Sequence, residues 1–195
     1  EDIRNGTERG RILAQGAARV GEYYGSKRIP VIKKQALSAY DPRVIEVTGI
    51  SMMVTAQGAD HTVGNLPAAE CAGKSTEELS ALSLEVQINS AVADSLGLCV
   101  FGRAVTNNNH AEIIDALNSA FDVDLDPNYM NALGRETLLM EIEFNKKAGF
   151  TEDDDILPQF FYDEELPPTG KSARHFAPKI NKTQRQLLAE GKRFI

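Results

Sequence analysis

Apolar residues in this chain recur mostly at the three- and four-residue spacing of helices, and this pattern predicts a mainly α-helical protein. The strongest pattern begins at Ser75, which forms a capping-box pair with Glu78 ahead of a helix over residues 76–93. Asp126-Pro127 predicts another helix, because a cap residue followed by a first-turn proline is typical of a helix N-terminus. That helix is predicted to extend to about residue 148.

Weaker patterns predict the remaining elements and divide the chain into two helical lobes. The first lobe covers residues 1–105, and the second covers residues 106–195 with a loop-rich C-terminal tail. The other predicted elements are a helix capped by Thr7 and stopped by Gly25, an extended connector at 26–47, a short helix at 50–54, a helix starting near Asn109, a loop-like segment from Pro158 through Pro168 and a polar helix at 181–192.

The segment Asp94-Ser-Leu-Gly-Leu-Cys99 follows a predicted helix and combines residue types that can bind a ligand. Asp94 can accept two parallel N–H bonds from the edge of a heterocycle. Gly97 lets the main chain pass close to a ligand, and Cys99 can ligate a soft metal centre as a thiolate. The alternative is a helix that ends at Gly97, with Asp94 solvated and Cys99 buried as a small apolar residue.

His61 is a second candidate for chemistry, because it lies in a glycine-flanked loop next to Asp60. A loop histidine with an acidic neighbour can move a proton near neutral pH. The alternative is a turn in which Asp60 bonds backbone amides and His61 faces water. His110 and His175 match no such motif, and we expect both to lie at the surface.

Two other groups of residues have simpler explanations than a binding site. The run Glu152–Asp155 lacks the ligand spacing and central glycine of a calcium loop. We expect it to be solvated, with Thr151 and Asp154 capping a short turn. The aromatic residues at 160–162 are predicted to pack in the interior instead of forming a binding surface.

Composition and charge narrow the class of partner. The chain has 195 residues and a formal net charge of −7, whereas nucleic-acid binding requires a basic patch. No apolar run reaches membrane-spanning length and no secretory signal is visible, so we predict no membrane contact. Cys71 and Cys99 are too few for a disulfide framework, which favours a cytoplasmic location.

Asp94-Ser-Leu-Gly-Leu-Cys99, followed by Val100-Phe101, resembles the second pterin-binding motif of the tungsten- and molybdenum-dependent aldehyde ferredoxin oxidoreductases. Further stretches resemble the same family in the same order, from about Asn5 to Leu166, and correspond to the C-terminal third of such an enzyme, which is helical. These stretches are Gly6-Thr-Glu-Arg-Gly-Arg-Ile-Leu-Ala-Gln-Gly16, Ala39-Tyr-Asp-Pro-Arg43 with Gly58-Ala-Asp-His-Thr-Val-Gly-Asn65, and Phe144-Asn-Lys-Lys-Ala-Gly-Phe-Thr-Glu-Asp-Asp-Asp155 with Leu157-Pro158.

The resemblance implies roles for five residues. His61 falls where the family has a histidine beside the metal and the substrate. Asp94 would bind the amino-pyrimidine edge of one pterin, with Leu98 and Val100 as further cofactor-binding residues. Cys99 would be the fourth ligand of a 4Fe-4S cluster, which takes four thiolates.

The resemblance also implies the activity of the intact enzyme. Tungsten or molybdenum held by two pterins takes two electrons from an aldehyde as the aldehyde is hydrated by water and oxidised to a carboxylate. The electrons then leave singly through the pterin to the 4Fe-4S cluster and on to ferredoxin. In such an enzyme the protein positions the cofactor and tunes its surroundings, while the cofactor carries the redox chemistry.

Several parts of the family's site have no counterpart in this sequence. They are a Cys-x-x-Cys-x-x-x-Cys segment, the first pterin motif and the β-rich N-terminal domain. We therefore expect a C-terminal fragment that depends on the N-terminal domain of its parent enzyme, and that alone carries no metal or cluster and shows no turnover. The alternative is a stand-alone helical interaction module or a degenerate subunit, and the sequence leaves open whether a homodimer forms.

Overall fold

The structure, a computed structural model, describes residues 1–191. The chain is 57% helix and 3% strand, so the mainly α-helical fold class predicted from the sequence is confirmed. Within the described residues, no helix is both long enough and apolar enough to cross a membrane. The division into lobes at 1–105 and 106–195 stays a prediction.

The N-terminal segment forms three short helices, α1 (Asp2–Asn5), α2 (Glu8–Leu13) and α3 (Gly16–Tyr23). Thr7 caps α2 as predicted, because its hydroxyl accepts a hydrogen bond from the Gly10 amide at 3.0 Å. The single helix predicted between Thr7 and Gly25 is wrong. Gly16 has a φ of 83°, which a continuous right-handed helix does not permit, and the helix is therefore divided in two.

The predicted extended connector contains a small hairpin, whose antiparallel strands are β1 (Val31–Ile32) and β2 (Gln35–Ala36). Its turn residues, Lys33 and Lys34, have φ values of 47° and 64°, which asparagine and glycine adopt more readily in a two-residue turn. The sequence therefore carried no turn motif for this hairpin. The hairpin matters for the interior, because Ile32 is buried in the core.

Two helices form the centre of the fold, α4 (Glu46–Val54) and α5 (Thr76–Ser95), which pack against each other. Almost every residue of α4 is buried. The capping box at the start of α5 is present, with the Ser75 hydroxyl accepting from the Glu78 amide at 3.2 Å. Both predicted helices are confirmed, although α4 begins earlier than the predicted residue 50.

A 3₁₀ turn (Val100–Gly102) leads from α5 into α6 (Arg103–Asn108), α7 (His110–Phe121) and α8 (Tyr129–Lys147). The helix α8 approaches α5 closely, since a Cβ atom at Gly134 would lie 2.5 Å from the carbonyl oxygen of Ile88. The helices predicted near Asn109 and after Asp126-Pro127 are present. However, α8 begins only at Tyr129 with Asn128 as its N-cap residue, so the prediction that Asp126 caps the helix and Pro127 lies in its first turn is wrong. Phe121, the last residue of α7, is 70% exposed.

The C-terminal segment contains a 3₁₀ helix (Glu152–Asp155), α9 (Phe160–Asp163) and α10 (Ala177–Ala189). Thr151 and Asp154 cap the 3₁₀ helix as predicted. The segment predicted as loop-like holds the short helix α9, and the predicted packing of its aromatic residues is confirmed by Phe161, which is buried in the core. The polar helix α10 begins before the predicted residue 181, and residue 192 lies outside the described residues.

Two predictions of solvent exposure are wrong. His175 is only 4% exposed, with its Nδ1 atom 2.9 Å from Thr76 Oγ1 and its Nε2 atom 3.3 Å from a carboxylate oxygen of Glu46. Asp155, expected in a solvated run, is buried and forms an ion pair with Lys33. In both cases a partner distant in sequence satisfies the buried polar group, and no local pattern identifies such a partner.

Candidate functional site

A cavity of about 790 Å³ opens between α5, α8 and α10. The 3₁₀ helix Glu152–Asp155 and the loop that follows α4 complete its walls. Its volume lies in the range of sites that hold cofactors and small ligands in proteins. The polar residues on its wall include Lys33, Asp60, Gln87, Asp94, Glu141 and Asn145.

Asp94 lines this cavity from the last turn of α5. Beyond the helix, Gly97 adopts a φ of 68°, and the Leu98 amide donates to the carbonyl of Ala93 at 2.8 Å. Gly97 thus serves the left-handed helix ending, as the alternative interpretation of the motif held. The carboxylate of Asp94 lies at the negative end of a helix, where the helix dipole does not stabilise it. N–H donors from a ligand or from water would satisfy it.

Two further carboxylates, Asp60 and Glu141, line the same cavity. Burial raises the pKa of Glu141, and the negative charges of Asp94 and Asp60 raise it further. This wall therefore favours a ligand that donates hydrogen bonds or carries positive charge. The carboxylates do not make a metal site, since within residues 1–191 no group of three or more His, Cys, Asp or Glu side chains could hold a metal ion.

The loop that carries His61 reaches the cavity through Asp60, Thr62 and Val63, although His61 itself does not line it. Asp60 accepts hydrogen bonds at 2.7 Å from both the amide and the hydroxyl of Thr62, so the turn proposed in the alternative interpretation is present. His61 does not simply face water, however. It is half-buried, and the centre of its ring lies 5.2 Å from that of Tyr40.

Leu98, Cys99 and Val100 are exposed, and these three described residues do not line the cavity. The exposure of Cys99 rules out its interpretation as a buried apolar residue. Its thiol is therefore accessible to a ligand or to another protein segment from outside. Cys71 is buried, and its thiol donates to the carbonyl of Ala69 at 3.3 Å.

Comparison with known proteins establishes the family. The family model described as aldehyde ferredoxin oxidoreductase, domains 2 & 3, matches residues 1–190. This chain belongs to the aldehyde ferredoxin oxidoreductase family. The resemblance found in the sequence motifs is thereby confirmed, and the helical fold agrees with this part of the family.

Several curated relatives are similar to this chain, each named as a tungsten-containing aldehyde ferredoxin oxidoreductase. The one from Pyrococcus horikoshii is 30% identical over 168 residues, which cover 81% of this chain and 27% of the relative. Those from Pyrococcus furiosus and Thermococcus kodakarensis are each 31% identical over 166 residues, or 80% of this chain and 27% of the relative. The chain thus spans about a quarter of the length of these relatives.

Two residues of this chain that contact the site were not found from the sequence. Glu141 lines the cavity, and Arg103 donates a hydrogen bond to the carbonyl of Thr62 in the His61 loop. A signal for Glu141 did exist, because Thr137, Glu141 and Asn145 recur every fourth residue and therefore share one side of α8. No comparable spacing marks Arg103, whose partner is 41 residues away.

Proposed function

We propose that this chain supplies one wall of the cofactor site in a longer aldehyde ferredoxin oxidoreductase, which oxidises aldehydes to carboxylates. One observation carries the proposal: Asp94 and the His61 loop reach the same cavity from different elements. Cys99 is exposed five residues after Asp94, so a second binding group lies close to the first along the chain.

Asp94 is proposed to bind the amino-pyrimidine edge of a pterin. That edge presents adjacent N–H donors, and a carboxylate accepts two such bonds in parallel. The unfavourable position of Asp94 at the end of α5 supports this role, because the bound edge would provide the donors that the helix does not. Glu141 and Asp60 on the same cavity wall would reinforce the preference for a donor-rich ligand.

Cys99 is proposed to provide one thiolate to a 4Fe-4S cluster. The cluster takes four such ligands, and within the described residues the only other thiol, Cys71, is buried away from this surface. The remaining ligands would come from a part of the protein outside this chain. An exposed thiol fits that arrangement, since the cluster would then lie between Cys99 and the other part. Leu98 and Val100, exposed on either side of Cys99, would contact the cofactor there.

His61 is proposed to hold and transfer the proton that the aldehyde oxygen needs. A histidine suits this task because its protonation changes near neutral pH. Its ring packs beside Tyr40, and its loop adjoins the cavity through Asp60 and Thr62. The loop therefore holds the imidazole next to the cavity, although His61 is not one of the residues that line it.

The bound metal–pterin centre would supply the redox chemistry, accepting electrons from the aldehyde and passing them through the cluster to ferredoxin. We propose tungsten over molybdenum, because the curated relatives are named as tungsten-containing proteins. The role of the protein in this scheme is to bind the pterin at Asp94, to ligate the cluster at Cys99 and to manage the proton at His61.

The decisive test is a titration of the chain with a 2-amino-4-oxopteridine, in which the fluorescence of the pteridine measures binding. Asp94→Asn removes a charge-assisted acceptor, so we expect affinity to fall about 10- to 100-fold. Asp124→Asn is the matched control, because Asp124 is an exposed aspartate that does not line the cavity. Equal affinity in the wild-type and Asp94→Asn chains would contradict the proposal.

An interaction module remains the second candidate, and exposed apolar side chains favour it. Phe101 is 96% exposed, Val105 is 69% exposed and Phe144 is 71% exposed. Such residues suit contact with another polypeptide, which both candidates require. The pteridine titration separates the two, since a module without catalysis predicts no binding by the wild-type chain.

A further inference from the structure

The loop that carries His61 is attached to α4 at its beginning. The chain turns there through Gly58 and Ala59, whose φ values are 74° and 53°. The amide of Ala59 donates to the carbonyl of Met52 at 2.8 Å, and both residues are buried. The start of the loop is therefore fixed to the core.

The end of the loop is attached to the same helix. The hydroxyl of Ser51 donates to the carbonyl of Gly64 at 3.0 Å, and the amide of Leu66 donates to the hydroxyl of Thr48 at 3.1 Å. The contact at Gly64 is close, because a Cβ atom there would lie 2.3 Å from Ser51 Oγ. Ser51 is in turn held by Ser83 of α5 at an oxygen–oxygen distance of 2.7 Å.

Between these two attachments, residues 60–63 form the tip of the loop, and none of the four is buried. Asp60 organises the tip internally through its bonds to Thr62. These local bonds set the shape of the turn but do not fix its direction relative to α5. A contact from another element is needed for that, and Tyr40 provides one through its ring contact with His61.

Arg103, which follows the loop in sequence whereas Tyr40 precedes it, provides a second contact to the tip of the loop. It is the first residue of α6, four residues after Cys99, and its Nη2 atom donates to the carbonyl of Thr62. The Nε atom of Arg103 is buried and has no hydrogen-bond partner among the described residues. The side chain is thus partly desolvated, and its hydrogen bond to Thr62 offsets part of the free-energy cost of that desolvation.

We infer that Arg103 is a positioning residue that holds the tip of the His61 loop at a fixed position relative to the Cys99 segment. Its functional consequence rests on the roles proposed for His61 and Cys99. The geometry couples these two residues, which are 38 positions apart, through a single side chain. A shift of the Cys99 segment would pull on Thr62 and so move His61 relative to Tyr40 and the cavity.

The test is NMR spectroscopy of the chain, with the ring-to-ring nuclear Overhauser effect between His61 and Tyr40 as the readout. Arg103→Met removes the donor, and we expect loss of this effect without loss of the slow-exchanging amides of α5. Arg103→Lys keeps a cationic donor that can reach the Thr62 carbonyl, so we expect the effect to return. Arg11→Met, an exposed arginine in α2, is the control and should leave it unchanged.

An unchanged effect in a folded Arg103→Met variant would overturn the inference. Where that variant does not fold, the wild-type chain gives the answer, because Arg103 guanidinium protons should show contacts to the Thr62 backbone. Absence of those contacts would overturn it equally. None of these readouts needs a pterin or a metal, so a failed pteridine titration would count against the proposed function alone.

Discussion

Asp94 and Glu141 line one cavity from two different helices, α5 and α8. Burial raises the pKa of Glu141, and the negative charge of Asp94 is the second cause of that rise. The charge of Asp94 therefore acts on the carboxyl group of Glu141, although 47 residues separate the two in sequence. Their proximity gives the cavity an acceptor-rich wall, and several measurable consequences depend on it.

The first prediction concerns this pair. In Asp94→Asn, the pKa of Glu141 should fall but remain above its ordinary value of 4.5, because burial is the larger cause. NMR titration of the carboxyl carbons in the wild-type and Asp94→Asn chains would measure the change. The folded chain loses the Glu141 proton at a higher pH than the unfolded chain does. This group therefore lowers the free energy of unfolding as pH rises above 4.5. Asp124→Asn should change neither quantity.

The second prediction concerns His175 and the pH dependence of stability. Burial lowers the pKa of His175 below its ordinary value of 6.5, so the unfolded chain takes up the proton first. Its contribution to stability is complete above pH 6.5 and is lost as pH falls below that value. His175→Gln should flatten the pH dependence of the unfolding free energy between pH 7 and pH 5, measured by urea denaturation at each pH.

His110 requires a parallel measurement, because burial lowers its pKa as well and its contribution has the same sign. His110→Gln should remove a separate part of the slope. Variants whose unfolding free energies depend on pH between 7 and 5 as the wild-type chain's does would contradict both assignments.

The third prediction concerns the buried ion pair of Lys33. Lys33→Met leaves the Asp155 carboxylate buried beside Asn181 without its cation, and we expect a loss of about 3–5 kcal/mol in unfolding free energy. Lys34→Met is a matched control, since Lys34 shares the turn and the left-handed backbone but is exposed. Equal denaturation midpoints for the two variants would disprove the structural role of the pair.

The fourth prediction concerns the close contact at Gly64. In Gly64→Ala, the new methyl group would overlap Ser51 Oγ, and we expect a loss of about 1–3 kcal/mol in stability. Gly102→Ala is the control, because Gly102 has a φ of −86° and open space around its Cβ position. Thermal unfolding of both variants would measure the difference, and a Gly64→Ala chain as stable as Gly102→Ala would refute the contact.

The fifth prediction concerns thiol access. Cys99 is exposed and Cys71 is buried, so an alkylating reagent should modify Cys99 well before Cys71 in the native chain. Mass spectrometry after short exposures would assign each site, and Cys99→Ser should abolish the fast phase. Similar rates at the two cysteines would contradict the exposure on which the cluster-ligand proposal depends.

Local sequence patterns predicted much of this fold, and particular residues show why. Ser75 and Glu78 cap α5, and Thr7 caps α2, because capping depends on residues only three positions apart. Asp94 was predicted at the C-terminal end of α5, and this helix runs two residues further than the predicted residue 93, so Asp94 lies in its last turn. The family was also recognised from short motifs, which the family match over residues 1–190 confirmed. The roles assigned to His61, Asp94, Leu98, Cys99 and Val100 stay predictions.

The errors share a different origin. His175 and Asp155 were expected at the surface, and each is buried by a partner about a hundred residues or more away, Glu46 and Lys33. The break at Gly16 and the turn at Lys33-Lys34 both depend on positive φ angles. Glycine and lysine can adopt such angles, but neither residue type requires them, so the sequence did not predict them.

The sequence by itself determined the helical class, the helix boundaries with strong caps and the family, because each of these is encoded in residues near one another along the chain. Only the tertiary structure decided that Asp94, Glu141 and the His61 loop share one cavity, that Cys99 is exposed and that Arg103 reaches Thr62. Those relationships arise from how α4, α5 and α8 pack, and packing brings together side chains whose separation along the chain carries no periodic signal.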